Sequence, residues 1–150
     1  MNSKKLIQVL GFKPKENTTG IFHKIYSNCD NYAIEIDFEK EIFILGDRIK
    51  AESKTTQNFS QTENWVVIEC INRLLEKGYK PENIILEKTW ATGHGTSGRL
   101  DILVTRDDGS AYLMIECKTW GAEFDKEFKN LEKNGGQRSE EHTSELQSRH

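Results

Sequence analysis

Residues 100–118 decide the fold: Leu100-Asp101-Ile102-Leu103-Val104, then Arg106-Asp107-Asp108-Gly109-Ser110, then Tyr112-Leu113-Met114-Ile115-Glu116-Cys117-Lys118. An Asp-Gly pair between two β-rich runs is a strong short-range hairpin signal. With Asp108 and Gly109 as a two-residue loop, Asp107 faces Ser110, and each step away from the turn advances both strands by one residue. That register puts Asp101 directly opposite Glu116. Strand side chains alternate faces, so Glu116 and Lys118 share a face with Tyr112 and Met114, while Leu113, Ile115 and Cys117 take the other. By the same parity Leu100, Ile102 and Val104 turn toward the core, and Asp101 turns away from it.

Directly facing side chains have Cβ atoms about 4.5–5.5 Å apart, where like charges repel. A hard divalent cation offsets that repulsion, and Mg²⁺ characteristically uses one or two carboxylates together with substrate phosphate and water. A lysine one strand repeat beyond the second carboxylate orients or helps deprotonate a metal-bound water. The competing reading is a solvated hairpin whose charges merely face water; register, parity and the apolar flanks together favour the metal site.

The stretch Gly98-Arg99-Leu100-Asp101-Ile102-Leu103-Val104, followed by Tyr112 to Lys118, resembles the motif of the PD-(D/E)xK nuclease superfamily. The variety it resembles is that of restriction endonucleases and of the nuclease region of type I restriction subunits. The resemblance covers residues 59–137. It implies an α/β fold with a restriction-endonuclease-like αβββαβ core, a mixed sheet flanked by helices. It further implies that Asp101 and Glu116 bind Mg²⁺ or Mn²⁺, that the Cys117 carbonyl completes the site, and that Lys118 serves catalysis. Leu100 stands where the superfamily's name has proline, a position that varies within it.

Upstream, Ser60-Gln61-Thr62-Glu63 reads as a helix start, with Ser60 as N-cap and Glu63 closing a capping box. The helix runs through residues 64–77 to Gly78, a C-terminal signal. At about 100° per residue Glu63 falls on the stripe of Val67, Cys70, Ile71 and Leu74, whereas Glu69 lies beside Arg73 and Glu76. Two readings of Glu63 stay open: it closes the capping box, or it is the acidic residue that the resemblance places on the first helix near the metal. Glu69 is expected as an i,i+4 partner of Arg73 on the solvated face.

Beyond Lys118, Phe124, Phe128 and Leu131 recur at helical spacing and predict a second helix over 122–133. Gln137 after it resembles the glutamine that trails the Glu-x-Lys strand in type I-like members, near DNA or the attacking water; a plain surface glutamine is the alternative. The glycine-rich stretch 92–98 matches no phosphate-binding pattern in full. It is expected as a loop on the active-site side, with His94 more often structural than in contact with substrate. Residues 138–150 have no apolar periodicity and resemble the conceptual translation of a sequencing-library adapter, so they are set aside from fold reasoning. On that reading the natural chain continues past Gln137, and the last strand of the core is missing.

Toward the N-terminus, residues 20–26, 32–38 and 41–45 predict three short antiparallel strands, with a short helix over 1–10 before Gly11. The polar segment 46–58 reads as a linker. The expected organisation is therefore an N-terminal β-meander appendage and linker (1–58), a nuclease-like core (59–137) and a non-native tail (138–150). The meander carries no assignable chemistry, and His23 on it is expected to be structural. The chain's three cysteines show no Cys-x-x-Cys spacing, so neither zinc nor a disulfide framework is indicated. No apolar run approaches the roughly 18 residues of a membrane span, and the cytoplasm is the default location. The formal net charge of −3 is low for a DNA-binding protein. DNA is then expected to be held mainly by downstream methylase or helicase domains or by partner subunits, with this module making the cut. The sequence thus points to Mg²⁺-dependent DNA phosphodiester hydrolysis by an endonuclease module of a restriction-modification or phage-defence protein. A catalytically silent nucleic-acid-binding or assembly module of a restriction-methylase complex is the alternative.

Overall fold

The computed structural model describes residues 2–53, 57–91, 93 and 97–119. The backbone groups into two compact units, Met1–Glu116 and Cys117–His150. The expected second helix, Gln137, His94 and the 138–150 tail lie outside the described residues. All elements named below belong to the first unit, which is α/β with two four-stranded sheets and, among the described residues, two α-helices.

The first helix, α1 (Ser3–Val9), begins at Asn2, whose side chain accepts a bond from the Lys5 amide, and ends before Gly11 at φ +99°. The first sheet is an antiparallel meander of β1 (Lys13–Pro14), β2 (Ile21–Tyr26), β3 (Tyr32–Asp37) and β4 (Ile42–Ile44). The three expected strands are present, and β1 adds a short fourth at the edge. Asp37 Oδ1 accepts from the Glu39 and Lys40 amides at 2.9 and 3.0 Å, an Asx-type turn that reverses the chain between β3 and β4.

The 46–58 segment, expected as a polar linker, contributes β5 (Lys50–Ala51), which pairs in parallel with β6 (Ile84–Ala91). The second sheet continues antiparallel through β7 (Ser97–Thr105) to β8 (Ala111–Ile115), in the order β5-β6-β7-β8. Two residues of strand in a polar stretch carry no period of their own, and only the neighbouring β6 makes Lys50 and Ala51 extended.

Helix α2 (Glu63–Glu76) starts later than the capping-box reading requires. Thr62 occupies the N-cap without a side-chain bond, while the Ser60 hydroxyl and amide both engage Asn58 Oδ1. Asn58 captures the hydroxyl that was expected to cap the helix. The C-terminal end agrees with expectation: Gly78 (φ +95°) donates to Leu75 O and Tyr79 to Leu74 O, the two bonds of a Schellman motif.

Most of α2 is buried because it serves both sheets. Toward the meander, Trp65 meets Phe38, Phe43 and Phe59 with ring centroids 4.7–6.1 Å apart. Asn72 Oδ1 accepts from Tyr26 Oη at 2.6 Å and from Lys24 Nζ at 2.8 Å. The fully buried Val67, Ile68, Ile71 and Leu75 of the helix join Ile34, Ile36 and Phe43 of the meander and Ile84, Leu86, Ile102 and Val104 of the second sheet. Each such aliphatic side chain stabilises by roughly 1.5–3 kcal/mol relative to exposure, so this three-layer core holds the strand carrying Asp101 in place. Cys29, Cys70 and Cys117 are buried free thiols.

Candidate functional site

The site begins at the β7–β8 hairpin. Ile102 faces Ile115, Leu103 faces Met114 and Val104 faces Leu113. Continuing this register by one residue brings Asp101 opposite Glu116, which follows directly on the end of β8. The expected register is therefore present, but the turn producing it is not the expected one. Arg106 N donates to Ser110 O at 2.8 Å and Gly109 N to Arg106 O at 2.9 Å, so Asp107-Asp108-Gly109 form a three-residue loop with Gly109 at φ +87°. Asp108 Oδ1 accepts from the Ser110 amide and hydroxyl at 2.9 and 2.6 Å, fixing the loop in that form. A three-residue loop alone would displace the pairing by one, and next to the turn it does: Thr105 faces Ala111. The shift between Val104 and Thr105 then leaves Tyr112 as an extra residue on β8, a bulge that cancels the displacement.

Burial departs from the expected parity on β7 at Asp101. Ile102 and Val104 are inaccessible as expected, but Asp101, expected to turn away from the core, is buried as well, at 8% exposure. Asp101 lines a cavity of about 120 Å³ with Glu63, Asn64 and Val67 of α2 and with Glu87 and Arg99 of the second sheet. That space has room for several waters or a small hydrated ion. Glu63 thus lies at the cavity beside Asp101. Glu69 instead pairs with Arg73 at 3.1 Å and is half-buried rather than fully solvated. Glu116 is exposed. Cys117 is buried and Lys118 half-buried, and both belong to the second unit.

Two residues that sequence reasoning missed complete the cavity wall. Glu87 lies in β6, where the ladder to β7 runs unbroken on either side, Leu86 facing Ile102 and Lys88 facing Leu100, and omits the pair between them. That omitted pair is Glu87 with Asp101. Glu87 has φ +52°, a left-handed conformation that costs a non-glycine residue roughly 1–2 kcal/mol, and its side chain is almost wholly buried. Its Oε1 receives Arg99 Nη1 at 3.3 Å. Burying a carboxylate is costly unless it is paired, and the guanidinium supplies that compensation. The signal available in sequence was the constant register of β6 with β7, which needs the β6–β7 loop length to be known.

Asp101 therefore sits between two carboxylate-bearing positions, Glu87 on β6 and Glu116 after β8, with Glu63 reaching the same cavity from the helix. Among the described residues no three His, Cys, Asp or Glu side chains form a closed metal-binding group. Among them, too, no helix is long and apolar enough to cross a membrane.

No curated protein and no solved structure matches the chain. Residues 62–134, which contain α2, the three antiparallel strands, Glu63, Glu87, Arg99, Asp101, Glu116 and Lys118, match the family model described as Type I restriction enzyme R protein N terminus (HSDR_N), which makes this stretch a restriction-enzyme-related region.

Proposed function

We propose that residues 59–137 form a PD-(D/E)xK nuclease core with the restriction-endonuclease-like fold, and that it hydrolyses DNA phosphodiester bonds with Mg²⁺, or Mn²⁺ in its place, as the endonuclease module of a restriction-modification system. The observation that carries this reading is the buried Asp101, aligned by the hairpin register with Glu116 and sharing a cavity with Glu63, inside the restriction-enzyme-related stretch. The run α2, β6, β7, β8 supplies the helix and three antiparallel strands with which such a core begins.

The donor chemistry fits a hard divalent cation. Among the described residues lining the cavity, the ionisable ligands are carboxylates rather than thiolates or imidazoles, and they stop short of a closed cage. Mg²⁺ prefers such sites because it retains waters and takes phosphate oxygens as ligands. Asp101 and Glu116 would hold the ion, with the Cys117 carbonyl as a further oxygen. When bound, such an ion stabilises charge developing on the phosphate and lowers the pKa of water. Glu63, at the cavity from α2, orients water entering it. Lys118 enters by its place in the Glu-x-Lys motif: its ammonium donates to the attacking water and holds it toward the phosphorus. Gln137 is assigned by resemblance to a DNA or water contact. Partners are DNA and the other subunits or domains of a multisubunit restriction complex.

The test is cleavage of supercoiled plasmid by the purified chain with and without Mg²⁺. Because DNA is expected to be held mainly by other domains or subunits, the expected result is weak metal-dependent nicking, abolished by Asp101→Asn and by Lys118→Ala with circular dichroism unchanged. Cleavage that survives Asp101→Asn would overturn the assignment. DNA binding without any metal-dependent cleavage would favour the silent binding module instead.

A further inference from the structure

Three acidic residues, Glu63, Glu87 and Asp101, line the cavity, and the whole chain carries a net charge of −3, so a DNA strand approaching Asp101 meets repulsion from these carboxylates. Among the described residues lining the cavity, Arg99 is the sole cation. It precedes Asp101 by two residues on β7 and therefore projects from the same face. Its side chain is 59% exposed, yet its Nη1 is tied to Glu87 Oε1, whose own side chain is only 3% exposed.

We infer that Arg99 is the backbone-phosphate contact of this site and that Glu87 is its positioning residue, the ligand being a DNA phosphodiester. The inference rests on the nuclease reading of the same cavity. A guanidinium offers five N–H donors in a rigid plane. Anchoring one edge on a buried carboxylate fixes the orientation of the plane, and the exposed remainder can take two phosphate oxygens side by side. Glu87 is suited to that task because it is immobilised: it is buried, and its left-handed backbone carries it out of the β6–β7 ladder at the position facing Asp101. Anchored in this way, Arg99 would bring the phosphate next to Asp101 rather than merely raise the local positive potential.

The experiment is fluorescence anisotropy of a short labelled duplex with the chain in EDTA, from about 50 to 200 mM salt, the range over which phosphate contacts are read from the salt slope. Arg99→Ala should weaken binding roughly tenfold at the low-salt end and reduce the slope of log K against log salt by about 0.9, the value for one phosphate. Arg99→Lys should keep the slope and lose part of the affinity, since an ammonium cannot reproduce the paired contact. Because Arg99→Ala removes a cation from beside a buried carboxylate, the double variant Glu87→Gln with Arg99→Gln provides the same test with the charge removed from both sides. Glu87→Gln alone should weaken binding while keeping the slope near that of the wild type, which a purely structural role for Glu87 would not separate. Lys13→Ala, at an exposed position on β1, serves as the control and should change neither quantity. An unchanged slope in both Arg99 variants, or no measurable binding by the wild-type chain at the low-salt end, overturns the inference. Since binding is measured without metal, failure of Arg99 here is distinguishable from failure of the nuclease reading, which is decided by Mg²⁺-dependent cleavage in Asp101→Asn.

Discussion

Asp101→Asn should stabilise the chain in metal-free buffer, and the hairpin register sets the size of the effect. Facing positions on an antiparallel pair put the two Cβ atoms about 5 Å apart, and the same figure serves as the scale for the charges they carry. At that separation unit charges repel by ~0.8 kcal/mol in bulk water and by ~3 kcal/mol at an effective dielectric constant of about 20. Glu116 is exposed and Asp101 is buried, so the value belongs toward the watery end, in line with the roughly 0.2–1 kcal/mol measured for cross-strand pairs. We expect ~0.5–1 kcal/mol, which for a chain of this length raises the melting temperature by about 1–4 °C. Asp101 has other neighbours in the cavity, so the assay is a double-mutant cycle of Asp101→Asn and Glu116→Gln followed by thermal melts. Either neutralisation removes the same repulsion, and the double variant should gain no more than one of the singles. With Mg²⁺ at ten times its dissociation constant, the wild type should gain ~1.4 kcal/mol by mass action and both single variants much less. Additive singles, together with a wild-type melting temperature indifferent to Mg²⁺, would refute the shared site.

Gly98→Ala should cost about 1–3 kcal/mol as an overpacking change, because an added Cβ would fall 2.5 Å from Trp90 Cε2; denaturant melts should show the loss, and Trp90→Ala should rescue it. Asn72→Ala should cost about 1–3 kcal/mol, since it takes the acceptor from the Tyr26 hydroxyl, while the Lys24 ammonium keeps Leu10 O and Glu76 Oε2; Tyr26→Phe in the same background should recover part of that loss in urea unfolding. Glu52 is held below the usual carboxylate range, first by its bond from Lys88 and then by the Thr89 amide. A carboxyl whose folded pKa is depressed contributes stability above its unfolded value of about 4.3 and loses that contribution as pH falls through the folded value. An NMR titration should therefore find Glu52 titrating below an ordinary glutamate, and Lys88→Ala should bring it back up.

The two ends of α2 show why parts of this fold were legible and others were not. Gly78 ends the helix because glycine takes the left-handed turn without strain, a property of the residue itself. Ser60 does not begin the helix because Asn58, two residues away, competes for its hydroxyl, and local propensity does not rank such rivals. Asp101 and Glu116 were legible because strand periodicity is strict over short distances. Glu87 was hidden within Ile84-Ile85-Leu86-Glu87-Lys88, a run that reads as plain strand, and nothing in those residues announces a glutamate in the left-handed region. Arg99 likewise acquires significance only once β6 lies beside β7 and delivers Glu87 to it. The alignment of Asp101 with Glu116 was inferred through a turn that is one residue too short, and it survives because Tyr112 bulges.

That compensation gives the hairpin a tolerance to changes in its own length. The loop residues Asp107-Asp108-Gly109 and the surplus Tyr112 are two separate places where one residue can be absorbed. Shortening the loop by one lets the strand straighten at Tyr112, and the acidic pair stays aligned. Removing Tyr112 while keeping the loop leaves Thr105 opposite Ala111 and brings Leu113 next in line opposite Val104, so the acidic pair stays aligned then as well. Insertions and deletions at the tip are thus buffered before they reach Asp101, so related sequences can vary there and engineers can graft there without retuning the site.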